Sequence, residues 1–157
     1  MKKIIDKFID EYRFLSNFYY HIIFLEDLAC PTLEHAYQAS KTLDQKERLK
    51  IVEAKSPGQA KKLGIKISKS DKLRSDWFKV NVEIMEKLLI QKFSDSELKK
   101  ILLNTENSIL IEGNSWHDNF FGNCTCIKCK DIKGENHLGK LLMKIREKLK
   151  WMKNITK

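Results

Sequence analysis

The sequence predicts a mainly α-helical protein with a small β component, folded as one compact domain that spans residues 1–157. Its 157 residues are the length of one ordinary domain, and 42% of them are hydrophobic, which is enough to form a core. Apolar residues recur at helical spacing in several segments. Two prolines and six glycines exclude collagen-like and linker-dominated architectures.

The chain is basic, with 30 Lys and Arg against 21 Asp and Glu and a formal charge of +9. Such a charge indicates anionic partners such as nucleic acids, nucleotides or phosphorylated metabolites. However, only four of the 30 basic residues are arginine, the side chain that phosphate-binding surfaces favour. A solvated lysine surface therefore explains the charge equally well.

The sequence predicts a cytoplasmic protein without a membrane partner. Its longest apolar stretches, near 22–25 and 109–111, are too short to span a bilayer. Asp6, Asp10 and Glu11 interrupt the N-terminal apolar residues, which argues against a secretory signal. The four cysteines are then expected to be reduced unless a metal binds them. Nothing in the sequence indicates the oligomeric state.

The first half of the chain carries strand and helix signals in turn. Residues 19–26 are rich in β-branched and aromatic side chains and predict one or two short strands. Thr32 is placed to cap a helix that begins at residue 33. Ser56, Pro57 and Gln59 form a second helix start, and Gly64 is expected to end that short helix.

The second half is expected to contain three helices and a long loop. One helix begins near Asp76, and a capping box at 94–97 opens the next. Residues 109–111 indicate a short strand, and residues 113–134 a loop long enough to be functional. The last helix starts near residue 136 or 137. Its apolar stripe comprises Leu138, Leu141, Leu142, Ile145, Leu149 and Met152.

The first candidate site lies on the helix that follows Thr32. Glu34, Gln38 and Lys41 are spaced i, i+4 and i+7, so they fall on one helical face. A carboxylate there can stabilise developing positive charge or activate water, and a lysine with a lowered pKa can attack an electrophilic carbon. The alternative is a solvent-exposed Glu and Lys.

A second candidate site is the segment 112–122, which follows a predicted strand. Glu112 and Asp118 are candidate acids, and Trp116, Phe120 and Phe121 are candidate surfaces for stacking a base. The alternative is a loop anchored by buried aromatic side chains.

Arg13, Ser16 and Asn17 form a third candidate site, for a phosphate or a ribose, or else an ordinary turn before a strand.

The fourth candidate is a metal site. Cys124, Cys126 and Cys129 can bind zinc together with one further ligand, for which His117, His137 and Cys30 are candidates. A reduced, thiol-rich loop is the alternative. Walker, dinucleotide-binding, HExxH and nucleophile-elbow motifs are absent from the sequence, which gives no support to kinase, dehydrogenase, zinc-protease or serine-hydrolase functions.

Taken in order, the motifs resemble those of the NADAR family, also called YbiA-like, over about residues 8–150. The matching segments are Phe14–Tyr19, Glu34–Lys41, Ala54–Gly64, Asp76-Trp77, Lys92-Phe93, Asp118–Gly122 and Asn136–Arg146. The resemblance implies a mainly helical fold and N-glycosidase chemistry. Some members resemble enzymes that cleave phosphoribosylamino-pyrimidine intermediates of riboflavin synthesis, and others look like proteins that remove ADP-ribose from guanine in DNA.

The resemblance also implies roles for individual residues. Glu34, Lys41 and Asp118 would be catalytic. The substrate-binding set would be Arg13, Ser16, Asn17, Phe18, His35, Gln38, Trp77, Glu112, Phe121, Gly122, Asn136 and Gly139. The chain departs from the family pattern at Phe121, where Trp is usual, and in the cysteine segment, where a second glycine is common.

The predicted function is therefore an N-glycosidase that removes ADP-ribose from guanine, in DNA or in a nucleotide. The alternatives are an N-glycosidase for phosphoribosylated pyrimidines and a non-catalytic ADP-ribose- or NAD-binding module. No cofactor is expected to be required, apart from a structural zinc at the cysteines.

Overall fold

The computed structural model of the chain describes residues 2–155. A 3₁₀ helix covers Asp10–Leu15. The strands are β1 (Ile4–Ile5), β2 (Tyr20–Leu25), β3 (Leu28–Thr32), β4 (Ile109–Leu110), β5 (Gly113–Asn114) and β6 (Asn123–Cys124). The helices are α1 (Leu33–Ala39), α2 (Gln45–Val52), α3 (Pro57–Ser68), α4 (Trp77–Lys92), α5 (Ser96–Leu103) and α6 (His137–Ile155). The predicted fold class, mainly α with a small β component, is confirmed.

Contacts within the chain define two compact units. The central unit comprises residues 17–92, and the terminal unit combines residues up to 16 with those from 93 onwards. No helix within residues 2–155 is both long and apolar enough to cross a membrane. The single domain over residues 1–157 stays a prediction.

The central unit contains the β2–β3 hairpin and helices α1 to α4. The hairpin is antiparallel and pairs Ile23 with Cys30 and Leu25 with Leu28. An apolar cluster of this unit buries Ala39 of α1, Ile51 of α2, and Ala60 and Ile67 of α3. Helix α1 also contacts α4, so it packs against α2, α3 and α4.

Local signals explain most helix starts. The Thr32 hydroxyl accepts from the His35 amide, and the Ser56 hydroxyl accepts from the Gln59 amide with Pro57 at the first helical position, as predicted. Helix α2 was not predicted, although Asp44 caps it by accepting from two backbone amides. The capping residue of α5 is Asp95, one position later than the predicted box implied.

Gly64 does not end its helix, which corrects the prediction. Helix α3 continues through Gly64 to Ser68. Gly64 is buried, and a Cβ built there would overlap the side-chain amide of Gln38 on α1. The glycine therefore permits close approach of two helices and does not serve as a C-cap.

The terminal unit is built on two short parallel strand pairs. Strand β1 pairs with β4, and β5 pairs with β6. Helix α6 begins at His137, as predicted, and buries four residues of its stripe: Leu138, Leu141, Leu142 and Ile145. Leu149 is half-buried and Met152 is exposed, so the stripe is shorter than predicted.

Candidate active site

Three polar side chains that follow Thr32 are buried in the central unit. Glu34, Gln38 and Lys41 keep only 6%, 5% and 9% of their surface exposed, which excludes the solvent-exposed alternative. Gln38 Nε2 donates to Glu34 Oε1 at 2.8 Å, one helical turn apart. Lys41 lies in the turn after α1, where its amide donates to the Gln38 carbonyl. The Glu34 carboxylate, the Gln38 amide and the Lys41 amine are thus all buried away from water.

The surroundings of the Lys41 amine disfavour its protonated form. Its Nζ donates to Ser68 Oγ at 3.0 Å and to the Gly64 carbonyl at 3.4 Å, and lies 5.8 Å from the centre of the Trp77 ring. Burial lowers the pKa of Lys41 to about 8, the Glu34 carboxylate partly opposes that shift, and the Lys61 charge adds to it. A sizeable fraction of the amine is then neutral near physiological pH, which a nucleophile requires.

Glu34 is held at the start of α1 by its backbone. Its amide donates to the Asn17 carbonyl at 3.0 Å, and the Thr32 hydroxyl caps the same helical turn. Asn17 is buried, and its Nδ2 donates to Met85 Sδ at 3.6 Å. Within residues 2–155, the buried Asn17 Oδ1 has no hydrogen-bond partner. This acceptor next to Glu34 is suited to a ligand hydroxyl or amine.

Trp77 is buried with only 4% of its surface exposed. Its ring packs against Tyr37, with centroids 5.2 Å apart and planes tilted by 55°. The Lys41 ammonium lies near the same indole. The Trp77 indole is thus part of the apolar surroundings of Lys41. Stacking of Trp77 on a base stays a prediction.

The contacts of His35 indicate a structural role. Its Nδ1 is 2.8 Å from Thr32 Oγ1, and its Nε2 is 3.1 Å from the Ala54 carbonyl, which can only accept. Nε2 therefore carries a proton and donates to that carbonyl, and burial lowers the pKa of the imidazole, which disfavours its charged form. This geometry favours a role in joining α1 to the segment before α3 over the predicted contact with substrate.

In the terminal unit, the Asp118 carboxylate shapes its own loop. Asp118 Oδ1 accepts from the amides of Phe120 and Phe121 at 3.1 and 2.9 Å. Asn114 holds the same turn by donating to the Asp118 carbonyl at 2.7 Å. Asp118 is half-buried, and its catalytic role stays a prediction.

Asn136 connects β4 to the start of α6. Its Oδ1 accepts from the Glu112 amide at 3.0 Å, and its Nδ2 donates to the Leu110 carbonyl at 2.9 Å. Gly139 lies against Leu110 and Asn136 so closely that a Cβ would overlap both. Gly122 is packed in the same way against the Glu112 carbonyl. Asn136, Gly139 and Gly122, which were predicted to contact substrate, thus have structural roles in the observed fold.

The remaining predicted contacts lie nearer the surface. Arg13, on the 3₁₀ helix, and Phe18 are exposed, and Ser16 is half-buried with its amide donating to the Arg13 carbonyl. Phe121 is half-buried and meets Phe120 edge-on at 5.0 Å. Ser68 and the Gly64 carbonyl contact Lys41 and were not predicted, because nothing in their spacing distinguishes them from ordinary helix residues.

The structure brings the three cysteines of the predicted metal site together. Cys124, Cys126 and Cys129 form a cluster with His117 in which the four potential ligand atoms all lie within 4.8 Å of one another. Of the three predicted fourth ligands, His117 is the one that this cluster contains.

Comparison with known proteins places these features in a family. The chain matches the NADAR domain over residues 6–150. It is 36% identical over 149 residues to an N-glycosidase of Nostoc punctiforme, covering 92% of this chain and 90% of that protein. It is 37% identical over 145 residues to the N-glycosidase YbiA of Escherichia coli, covering 89% of this chain and 83% of that protein.

The chain is also similar to a solved structure and to part of a longer protein. The NMR structure of E. coli YbiA superposes with a TM-score of 0.80 at 35% identity, covering 98% of this chain and 89% of that one. A riboflavin biosynthesis protein of Vibrio vulnificus is 33% identical over 141 residues, which cover 89% of this chain and 36% of that protein. The fold and these relatives define a hydrolase of the N-glycosidase class. The chain belongs to the NADAR domain family, as the ordered motifs predicted.

Proposed function

We propose that this protein hydrolyses the bond between the anomeric carbon of a ribose and an exocyclic amine of a base. The observation that carries the proposal is the buried Lys41 amine, with a pKa lowered to about 8, beside the buried carboxylate of Glu34. A lysine that only bound phosphate would gain by staying fully charged, whereas this environment favours the neutral amine.

The proposed reaction proceeds by amine exchange. The lone pair of the exocyclic nitrogen helps the ribose ring open, and the ring oxygen leaves C1 and takes up a proton. The resulting C1=N bond is attacked by neutral Lys41, and the base departs as a free amine. Water then hydrolyses the Lys41 imine, which regenerates the amine and releases the sugar as an aldehyde that closes again. One water molecule is consumed overall.

Glu34 is the proposed proton carrier and electrostatic partner in these steps. Its carboxylate stabilises positive charge on the iminium and accepts the proton from the attacking water. Gln38 orients it through the 2.8 Å hydrogen bond. Asn17 Oδ1 is the proposed acceptor for a ribose hydroxyl. For Asp118 as a second acid or base, and for Arg13 and Ser16 as phosphate ligands, the support is the family resemblance.

The first proposed substrate is ADP-ribosylated guanine, in DNA or in a nucleotide. Its ribose C1 is attached to an exocyclic amine, and its phosphates suit a chain with a net charge of +9.

The second candidate is a phosphoribosylamino-pyrimidine, which presents the same bond and also carries phosphate. The Vibrio vulnificus relative that is named a riboflavin biosynthesis protein favours this candidate.

The test offers both substrates in parallel, an oligonucleotide with ADP-ribosyl-guanine and the phosphoribosylamino-pyrimidine, and measures products by mass spectrometry. Unmodified oligonucleotide with free ADP-ribose supports the first substrate, and cleavage of the pyrimidine alone supports the second. A ligand-induced rise in melting temperature without either product overturns the proposed hydrolysis of these compounds and indicates a binding module.

Borohydride trapping tests the covalent step. Reduction during turnover should attach the sugar to Lys41 of the wild type and leave the Lys41→Met variant unlabelled. Lys61→Met is the matched control, because it removes a neighbouring lysine and leaves Lys41 in place, so the sugar should still be attached at Lys41. An active wild type that is never trapped would overturn the imine mechanism and leave Lys41 as a binding residue.

A further inference from the structure

Three thiols and one imidazole meet around strand β6. His117 Nδ1 lies 3.3 Å from both Cys126 Sγ and Cys129 Sγ, and the His117 amide is 3.3 Å from Cys124 Sγ. The four potential ligand atoms all lie within 4.8 Å of one another. We propose that His117, Cys124, Cys126 and Cys129 bind one zinc ion.

The distances suit a single metal ion. Tetrahedral zinc with Zn–S of about 2.3 Å and Zn–N of about 2.0 Å separates its ligand atoms by about 3.5–3.8 Å. The observed separations, 3.3 Å from His117 Nδ1 to two sulfurs and at most 4.8 Å across the cluster, lie close to these values. A two-iron cluster would need two ligand pairs held farther apart, because each iron binds its own pair.

The other two predicted fourth ligands have different surroundings. His137 Nε2 is 2.8 Å from the Glu135 carboxylate, and its ring packs against Phe120 at 4.5 Å. Cys30 belongs to the central unit, where its Sγ lies 3.6 Å from the Leu28 carbonyl. Neither joins the cluster of His117 and the three loop thiols within the described part of the chain.

The local backbone brings these ligands to one side of the loop. His117 has a φ of 68°, in the left-handed region, where histidine is found more often than most side chains other than glycine. That conformation directs its imidazole to the thiols. The Cys129 amide donates to the Cys126 carbonyl at 2.9 Å, which closes the tight turn that brings both sulfurs to one side. Three cysteines together with a histidine are also a ligand set typical of structural zinc.

The proposed ion has a structural role. Four protein ligands complete a tetrahedral shell and leave no position for substrate or water. His117 and Cys124 flank residues 118–123, which include Asp118 and Phe121, so the zinc would connect both ends of this loop. The four zinc ligands themselves take no part in the proposed glycosidase chemistry.

The test is metal analysis of the wild-type chain, purified under reducing conditions without chelator. We expect one zinc ion per chain, and cobalt substitution should give the intense visible bands of tetrahedral thiolate coordination. Cys129→Ser and His117→Ala should lose the ion. Cys30→Ala and His21→Ala remove a thiol and an imidazole outside the cluster and should retain it.

Each outcome decides the proposal without any activity measurement. Wild-type protein that contains no zinc and gives no cobalt spectrum after reduction overturns it, whether or not the variants fold. Bound iron with the absorption of an iron–sulfur cluster also overturns it. Full zinc retention in both cluster variants would place the ion elsewhere. A failure of the proposed glycosidase chemistry would leave all of these readouts unchanged.

Discussion

Gln38 Nε2 donates a 2.8 Å hydrogen bond to Glu34 Oε1, and the same amide lies against Gly64 of the neighbouring helix. One side chain therefore connects the proposed catalytic carboxylate to a helix–helix contact. Gln38 can rotate little, because Gly64 lies on one side of it and Glu34 on the other. The Glu34 carboxylate is oriented before any substrate binds, which reduces the reorganisation that the reaction requires.

Glu34→Gln should lower kcat by about 10²–10⁴-fold while leaving the melting temperature nearly unchanged. The amide keeps the size of the carboxylate but cannot carry a proton or stabilise an iminium ion. The measurement is product formation by mass spectrometry together with thermal melting by circular dichroism. Glu83→Gln is the control, since Glu83 is exposed and forms a surface ion pair with Lys87. Wild-type turnover in Glu34→Gln would exclude the carboxylate from the chemistry.

Activity should rise with pH through the pKa of Lys41, which burial lowers to about 8. Below that pH the amine is protonated and cannot attack, so kcat/KM should increase about tenfold per pH unit, and above it the rate should level off. Lys41→Arg keeps a permanent cation and should be inactive at every pH. A flat profile between about pH 6 and 9 would contradict a neutral Lys41 nucleophile.

Gly64→Ala should destabilise the fold by about 1–3 kcal/mol, because the new methyl group overlaps the Gln38 side chain, which must shift or move its helix. Activity should fall as well, since Gln38 positions Glu34. Gly58→Ala is the control on the same helix. A Cβ there meets only Ser56 Oγ at 3.9 Å, so helix propensity should make it neutral or slightly stabilising. Urea unfolding of the two variants measures the difference, and equal stability would contradict the packing argument.

His35→Ala should destabilise the fold by about 2–4 kcal/mol, because it removes the hydrogen bonds to Thr32 and Ala54 from a fully buried position. Burial lowers the pKa of His35 in the folded state, so as pH falls below about 6.5 the unfolded chain takes up its proton first and stability declines.

Thermal melting as a function of pH checks the role of His35. The neutral His35 ring contributes stability above the pKa that histidine has in the unfolded chain. The melting temperature of His35→Ala should therefore fall less steeply than that of the wild type below that pH. His21→Ala should keep the wild-type dependence, which tests whether removal of any imidazole has the same effect. A His35→Ala variant with unchanged stability would favour a substrate contact instead.

Local chemistry explains which parts of the fold could be predicted. Caps such as Thr32 and Ser56 act within one helical turn, so the sequence alone locates the starts of α1 and α3. Strand β1 has only two residues, and its pairing with β4 depends on residues about one hundred positions away. Gly64 could not be interpreted correctly for the same reason, because its role is defined by Gln38 on another helix.

The candidate site could likewise be predicted only in part from the sequence. Helical spacing was sufficient to group Glu34 with Gln38, since i and i+4 share a face in any α-helix, whereas Lys41 lies in the turn after α1 and joins them there. It could not distinguish burial from exposure, which depends on α3 and α4 packing over that face. Likewise, the cysteine spacing indicated a metal, but His117 could be distinguished from His137 only once the turn at Asn114 was known.

The parallel pairing of Ile5 with Leu110 has a consequence for biosynthesis. At a translation rate of about 5–20 residues per second, the N-terminal strand waits roughly 5–20 s before its partner has been made. The contiguous residues 17–92 can fold during that interval. Ile5 stays without its strand partner until Leu110 has been made. Slower synthesis therefore lengthens the time during which this part of the terminal unit is unpaired.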